Sequence, residues 1–279
     1  MFYTTLILFP FLCFTKADFQ KNTPINTYDG LITHLTNGAR VMYFFNTTAC
    51  QPISQTRVSD LPVFGGEINF FLTTKTSNDT PGQLIFNHDG YEFDSAKEAL
   101  TEDIQSVYIM NSTAFILYGR PGFFFNNTND IKGVICDWSS GKGNKFWAKE
   151  PVTPRQLNSY EQIRTMLVNG NPLRFAITLD GCQCVDGNCG HGYIGGNMAG
   201  VKISKEGTIS FSKAMTLYFP VPTSPMYYRE LLVGSIQSNN KATLTLSYLN
   251  ATTWEIQNGV NIACSIEAAK GHANFFTID

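Results

Sequence analysis

The chain has 279 residues, with 22 acidic against 20 basic side chains, 43% hydrophobic and 13% aromatic residues. A net charge of −2 excludes the basic face that nucleic-acid binding needs, and no polybasic stretch is available for an anionic membrane surface. With only 15% charged residues the chain is expected to bury a large core rather than remain disordered.

Residues 1–14 read MFYTTLILFPFLCF, and Thr15-Lys16-Ala17 follows. Short side chains at Thr15 and Ala17 predict a secretory signal peptide over residues 1–17, although no basic segment precedes the apolar run. The run is too short to cross a bilayer, which takes roughly 20 residues. No later segment is continuously apolar for about that length, so no transmembrane segment is expected. Residues 18–279 are read as one domain, secreted by default.

Short β-branched and aromatic runs bounded by turn residues predict strands at Val41–Phe45, Ile68–Thr73, Val107–Met110, Ala114–Tyr118 and Ile131–Cys136. Asp94–Gln105 is a weaker helical segment with Asp94 or Ser95 as its cap. Thr153-Pro154-Arg155-Gln156 reads as a capping box opening the main helix, over about 154–168, with Gly170 as its left-handed end. Further strands are expected at Leu173–Leu179, Val201–Ile203, Thr208–Phe211, Thr216–Phe219, Leu231–Ile236 and Thr243–Leu249. Lys205-Glu206-Gly207 and Gln257-Asn258-Gly259 read as hairpin turns. The fold class is therefore all-β, a two-layer antiparallel sandwich with one main helix.

Six cysteines follow the leader: Cys50, Cys136, Cys182, Cys184, Cys189 and Cys264. In a secreted chain they imply disulfides, with a local bridge from Cys189 to Cys182 or Cys184 and the rest of the pairing open. Cys182, Cys184, Cys189 and His191 could alternatively hold zinc, a reading the oxidising route disfavours. No metal and no cofactor are expected. Five sequons, at Asn46, Asn78, Asn111, Asn126 and Asn250, predict a glycan-bearing surface.

Neither a Gly-x-Ser-x-Gly elbow nor a His-Glu-x-x-His pair is present in the sequence. The four histidines, His34, His88, His191 and His272, sit in polar or glycine-rich contexts that predict exposed loops. The chain is thus read as a binding protein rather than an enzyme. Trp138 and Trp147 flank the polar loop Ser-Ser-Gly-Lys-Gly-Asn-Lys, and their indoles are the candidate ligand-stacking residues.

Several segments together resemble the amino-terminal domain of coronavirus spike proteins. They are Val41-Met42-Tyr43-Phe44-Phe45-Asn46-Thr47-Thr48, Phe86-Asn87-His88-Asp89-Gly90-Tyr91-Glu92-Phe93, the strand ending at Cys136, and Leu244–Leu249 followed by Asn258-Gly259 and Cys264. The family's early cysteine is absent, and the Cys182–Cys189 loop has no counterpart in it. The resemblance implies a galectin-like sandwich on a virion surface or a secreted viral glycoprotein. It also implies attachment to a host-cell glycan, sialylated in some cases, or to a host receptor protein. The runner-up readings are a secreted immune-evasion decoy and a sialate O-acetylesterase-like hydrolase, the latter resting on Phe93-Asp94-Ser95.

Overall fold

The computed structural model describes residues 22–53, 63–74, 82–94, 99–119, 133–139, 141, 143–149, 154–185, 189–219, 226–250, 253–266 and 273–278. The expected signal peptide, the sequons Asn78 and Asn126, and His272 lie outside them. The protein is mostly β, with 61% of residues in strands, and its sheets are antiparallel, as the strand pattern predicts.

The strands form three sheets. A front sheet runs in the order β1 (Asn22–Ile25), β10 (Lys145–Lys149), β2 (Arg40–Phe45), β4 (Phe64–Glu67). A central sheet opens with β11 (Gln156–Leu157), β20 (Ala273–Thr277), β12 (Leu173–Thr178), β14 (Gly192–Asn197) and β5 (Phe70–Thr74). It continues through β6 (Gln83–Asp94), β7 (Ala99–Met110), β8 (Thr113–Gly119), β9 (Gly133–Asp137) and β3 (Gln51–Ile53). A back sheet runs β13 (Gln183–Cys184), β19 (Ile256–Ser265), β18 (Lys241–Asn250), β17 (Met226–Ile236), β16 (Ile209–Phe219), β15 (Lys202–Ile203).

The central sheet is buried on both faces, which explains why its strands read as unbroken apolar runs rather than alternating ones. In Phe70-Phe71-Leu72, the outer two side chains enter the core shared with the back sheet, and Phe71 enters the core shared with the front sheet. Leu84-Ile85-Phe86, Val107-Tyr108-Ile109 and Ile116-Leu117-Tyr118 also alternate, with the outer two side chains in the front core and the middle one in the back core. The front core is aromatic, with Tyr43, Phe45, Phe64, Phe86 and Phe146 in mutual ring contact. In the back core Phe211 lies directly over Gly234 of the neighbouring strand. A Cβ there would sit 2.2 Å from the ring, so the glycine makes room for the aromatic.

The main helix is α2 (Tyr160–Val168), which begins later than the sequence predicts. Its cap is Ser159, whose hydroxyl accepts from Gln162 N while Gln162 Oε1 accepts from Asn158 N at 2.7 Å. The expected cap region contributes a strand instead, because Gln156 and Leu157 pair with Phe276 and Phe275. The helix buries Tyr160 and Ile163 in the back core and ends at Asn169 and Gly170, which has φ +79°. A second helix, α1 (Tyr28–Thr36), was not foreseen; it buries Leu31 and Leu35 one turn apart.

Two further expectations are corrected. Asp94–Gln105 is not a helix: Asp94 pairs with Ala99, and β6 and β7 form a long hairpin. Gln257-Asn258-Gly259 is not a turn: all three residues lie inside β19, with Asn258 opposite Tyr248 and Gly259 opposite Ser247. Lys205-Glu206-Gly207 does turn the chain from β15 to β16, with Gly207 N donating to Ser204 O at 3.0 Å.

Candidate binding site

The structure does not join Trp138 and Trp147 in one platform. Phe146 and Ala148 of β10 face the front core, so Trp147, between them, faces the other way; Lys145 Nζ stands 5.8 Å from its ring centre. Trp138 is 3% exposed and packs edge-on against Phe146, with ring centres 5.0 Å apart. Its indole N–H donates to Asn111 O at 2.9 Å.

Trp138 instead lies under a groove built with α1. The groove measures about 270 Å³ and is lined by Asn26, Thr27, Tyr28, Asp29, Asn111, Ser112, Trp138 and Ser139. Thr27 caps α1 by accepting from Gly30 N at 3.1 Å, and this fixes Asp29 in the first turn. Burial, aided by the nearby Asp29 carboxylate, pushes the Tyr28 phenol up to about 12, so it remains a neutral hydrogen-bonding group. Asn111 occupies a left-handed turn, φ 51°, that aims its carbonyl at the indole. Ser139 is oriented by Asp137, whose Oδ1 accepts from its N at 2.9 Å and its Oγ at 2.8 Å. The lining thus offers one carboxylate, amides and hydroxyls over an aromatic floor, with no cationic side chain among the described residues. A second groove of about 280 Å³ runs along α2 between Arg155, Glu161 and Met166.

Sequon Asn46 is half-buried at the end of β2, and its Oδ1 accepts from Thr48 Oγ1 at 2.7 Å. Asn111 stands at the rim of the Trp138 groove. Asn250 closes β18, where its Oδ1 accepts from Thr253 N at 3.1 Å.

The six cysteines form Cys50–Cys136, Cys182–Cys264 and Cys184–Cys189. The thiolates a zinc site would need are therefore spent, and His191 pairs with Asp180 instead. The other described histidines are not loop residues. His34 lies on α1, and His88 on β6 is half-buried, with Nδ1 2.8 Å from the Tyr43 hydroxyl. Asp94 sits in β6, and Ser95 lies outside the described residues.

Two buried charge clusters were not visible in the sequence. Glu67 of β4 accepts from Arg40 of β2 at 2.6 Å and from Arg174 of β12 at 2.9 Å, tying the front sheet to the central one. Arg174 also donates to Ile68 O at 2.9 Å. Burial pulls the Arg174 guanidinium down to about 10 against the attraction of Glu67. Burial also pushes the Glu67 carboxyl up, but the two arginines outweigh it and hold it below the usual range.

Glu230 of β17 is the second cluster. It is 0% exposed, beside Met215 and Tyr248 on the inner face of the back sheet, with the Tyr248 hydroxyl as its polar neighbour. Burial pushes its carboxyl up to about 7, and the neighbouring Tyr248 hydroxyl only partly opposes this. The folded state therefore holds this proton more tightly than the unfolded chain does. The resulting stabilisation is complete below about pH 4.5 and is lost as pH rises to about 7. Between pH 4.5 and 8 the wild type should lose roughly 3 kcal/mol relative to Glu230→Gln. Urea unfolding of both proteins across that range measures it; parallel pH profiles would refute the assignment.

Residues 156–254 match the family model described as VirK protein. That stretch takes in α2, Arg174, the Cys184–Cys189 bridge and Glu230, and leaves the Trp138 groove outside. Among solved structures, a VirK family protein from Legionella pneumophila is 17% identical, with 43% of this chain and 98% of that chain covered and a TM-score of 0.37. No curated protein matches the chain. The family-model match overturns the resemblance to coronavirus spike domains, since the model that matches residues 156–254 is a different one. Host attachment falls with it, as do the decoy and O-acetylesterase readings. The segments behind the resemblance were apolar strands, sequons and an Asn-Gly pair, which many antiparallel sandwiches share. The supposed closing hairpin at Asn258-Gly259 is the interior of a strand.

Proposed function

We propose that the protein is an exported, disulfide-braced β-sandwich that binds its partner without transforming it. We place a small neutral polyhydroxylated ligand in the groove over Trp138. The groove's chemistry carries this reading: hydroxyls, amides and the Asp29 carboxylate converge over an indole floor, and none of its described lining residues is cationic. Export is supported by the apolar leader and by the pairing of all six remaining cysteines. Binding rather than catalysis is supported by the state of the best nucleophiles. The cysteines nearest the Asp180–His191 pair are already oxidised.

A groove this small gives weak affinity, on the order of millimolar. The direct test is titration of the folded, oxidised protein with a panel of mono- and disaccharides. The Trp138 indole resonance, assigned with Trp147→Phe and Trp254→Phe variants, reports on the groove. The expected result is a saturable shift of that resonance, with affinity reduced about tenfold in Asp29→Ala through loss of a charged acceptor. An unmoved Trp138 signal throughout the panel would overturn the assignment.

A further inference from the structure

The three bridges are unequal in ways that bear on their chemistry. Cys50–Cys136 joins residues 86 apart, and its cysteines are 9% and 0% exposed. Cys182–Cys264 joins residues 82 apart, with Cys182 half-exposed but Cys264 only 6% exposed on β19. Cys184–Cys189 joins residues only 5 apart, both half-exposed, and is flanked by Val185, which is 80% exposed. Thiol–disulfide exchange requires a thiolate to reach a sulfur, so accessibility decides which bridge reacts first.

Local structure makes this bridge dispensable to the fold. Cys184 belongs to β13, which is held to β19 by the pairings Gln183↔Ala263 and Cys184↔Ile262 and by Val185 N donating to Asn261 O at 3.2 Å. The Cys182–Cys264 bridge anchors the same strand two residues earlier. Opening Cys184–Cys189 therefore leaves β13 fastened covalently and by backbone hydrogen bonds.

We propose that Cys184–Cys189 is a thiol-exchange site that accepts electrons from an external dithiol while the other two bridges stay closed. One thiolate of the dithiol attacks a sulfur of the pair, forming a mixed disulfide and expelling the other cysteine as a thiolate. The second thiol of the dithiol then attacks the mixed disulfide and releases the remaining cysteine. Two electrons and two protons pass to Cys184 and Cys189, and the dithiol leaves as its own disulfide. With a monothiol the first attack gives the mixed disulfide, and a second monothiol must attack it to release the remaining cysteine and leave as the monothiol's disulfide.

The experiment exposes the oxidised protein to dithiothreitol for graded times. Acid quenches each sample, freed thiols are alkylated, and peptide mass spectrometry maps the labels. Cys184 and Cys189 should be labelled at least about tenfold faster than Cys50, Cys136, Cys182 and Cys264, with the far-ultraviolet circular dichroism unchanged during that phase. A Cys184→Ser/Cys189→Ser variant should lose the fast phase and keep the slow ones. Equal labelling of Cys182 and Cys264, or labelling of any pair only as the β signal collapses, would overturn the proposal. The wild-type labelling order decides the matter even if the variant fails to fold, and it is independent of whether the Trp138 groove binds a sugar.

Discussion

Replacing Cys50 and Cys136 together by serine should lower the unfolding free energy by about 4 kcal/mol, well above the loss expected from removing Cys184–Cys189. The bridge joins residues 86 apart, so the unfolded chain without it gains far more conformational freedom than when the five-residue Cys184–Cys189 link is cut. The native state suffers as well. Cys50 precedes β3, a three-residue strand at the edge of the central sheet, and Cys136 lies in its neighbour β9. Those few pairings hold the edge weakly by themselves. Asn144, whose amide donates to Asp137 O at 3.3 Å and lies 3.6 Å from Cys50 Sγ, is bound into the same corner. Urea denaturation of the double variant beside Cys184→Ser/Cys189→Ser gives the comparison. Equal losses in the two variants would mean that loop closure is not what the longer bridge contributes.

The sequence exposed the sandwich because the strands that build it are apolar runs between turn residues. It misled where local preference and tertiary pairing disagree. Asp94–Gln105 contains Ala, Lys, Glu and Leu, all good helix formers, yet Ala99–Met110 pairs with β6 on one side and β8 on the other. Asn258-Gly259 tolerates a tight turn but does not compel one, and the ladder to β18 keeps it extended. In α1 the weak formers Gly30, Ile32 and Thr33 hid a helix held by its Thr27 cap and the burial of Leu31 and Leu35. Trp138 attracted notice through its neighbour in sequence, Trp147. Its groove partners come from α1 and the Asn111 turn, which periodicity cannot bring together. The cluster joining Arg40, Glu67 and Arg174 was equally hidden, because its members stand 27 and 107 residues apart.

That cluster carries the second large effect: Arg174→Ala should destabilise the protein by about 3–5 kcal/mol. Arg174 is 1% exposed, and its guanidinium satisfies both Glu67 Oε1 and the buried Ile68 carbonyl. Truncation strands those two acceptors and leaves a space between the front and central sheets, so lost hydrogen bonds and lost packing add together. Arg174→Met separates the two contributions, because it refills much of the volume without restoring the donors. It should recover part of the loss, and whatever remains measures the polar contribution. Acid provides an independent check on sign. Glu67 has a depressed carboxyl, so its stabilising contribution is present at neutral pH and is lost as pH falls through its folded value, below the usual carboxylate range. The variants should therefore lose less stability than the wild type on acidification, since the arginine that favours the charged carboxylate is gone. Chemical denaturation at pH 7 and near pH 3 tests both statements. A loss below about 1 kcal/mol for Arg174→Ala at pH 7 would mean that water replaces the arginine at Glu67 and Ile68, and that the front sheet is held by its aromatic core alone.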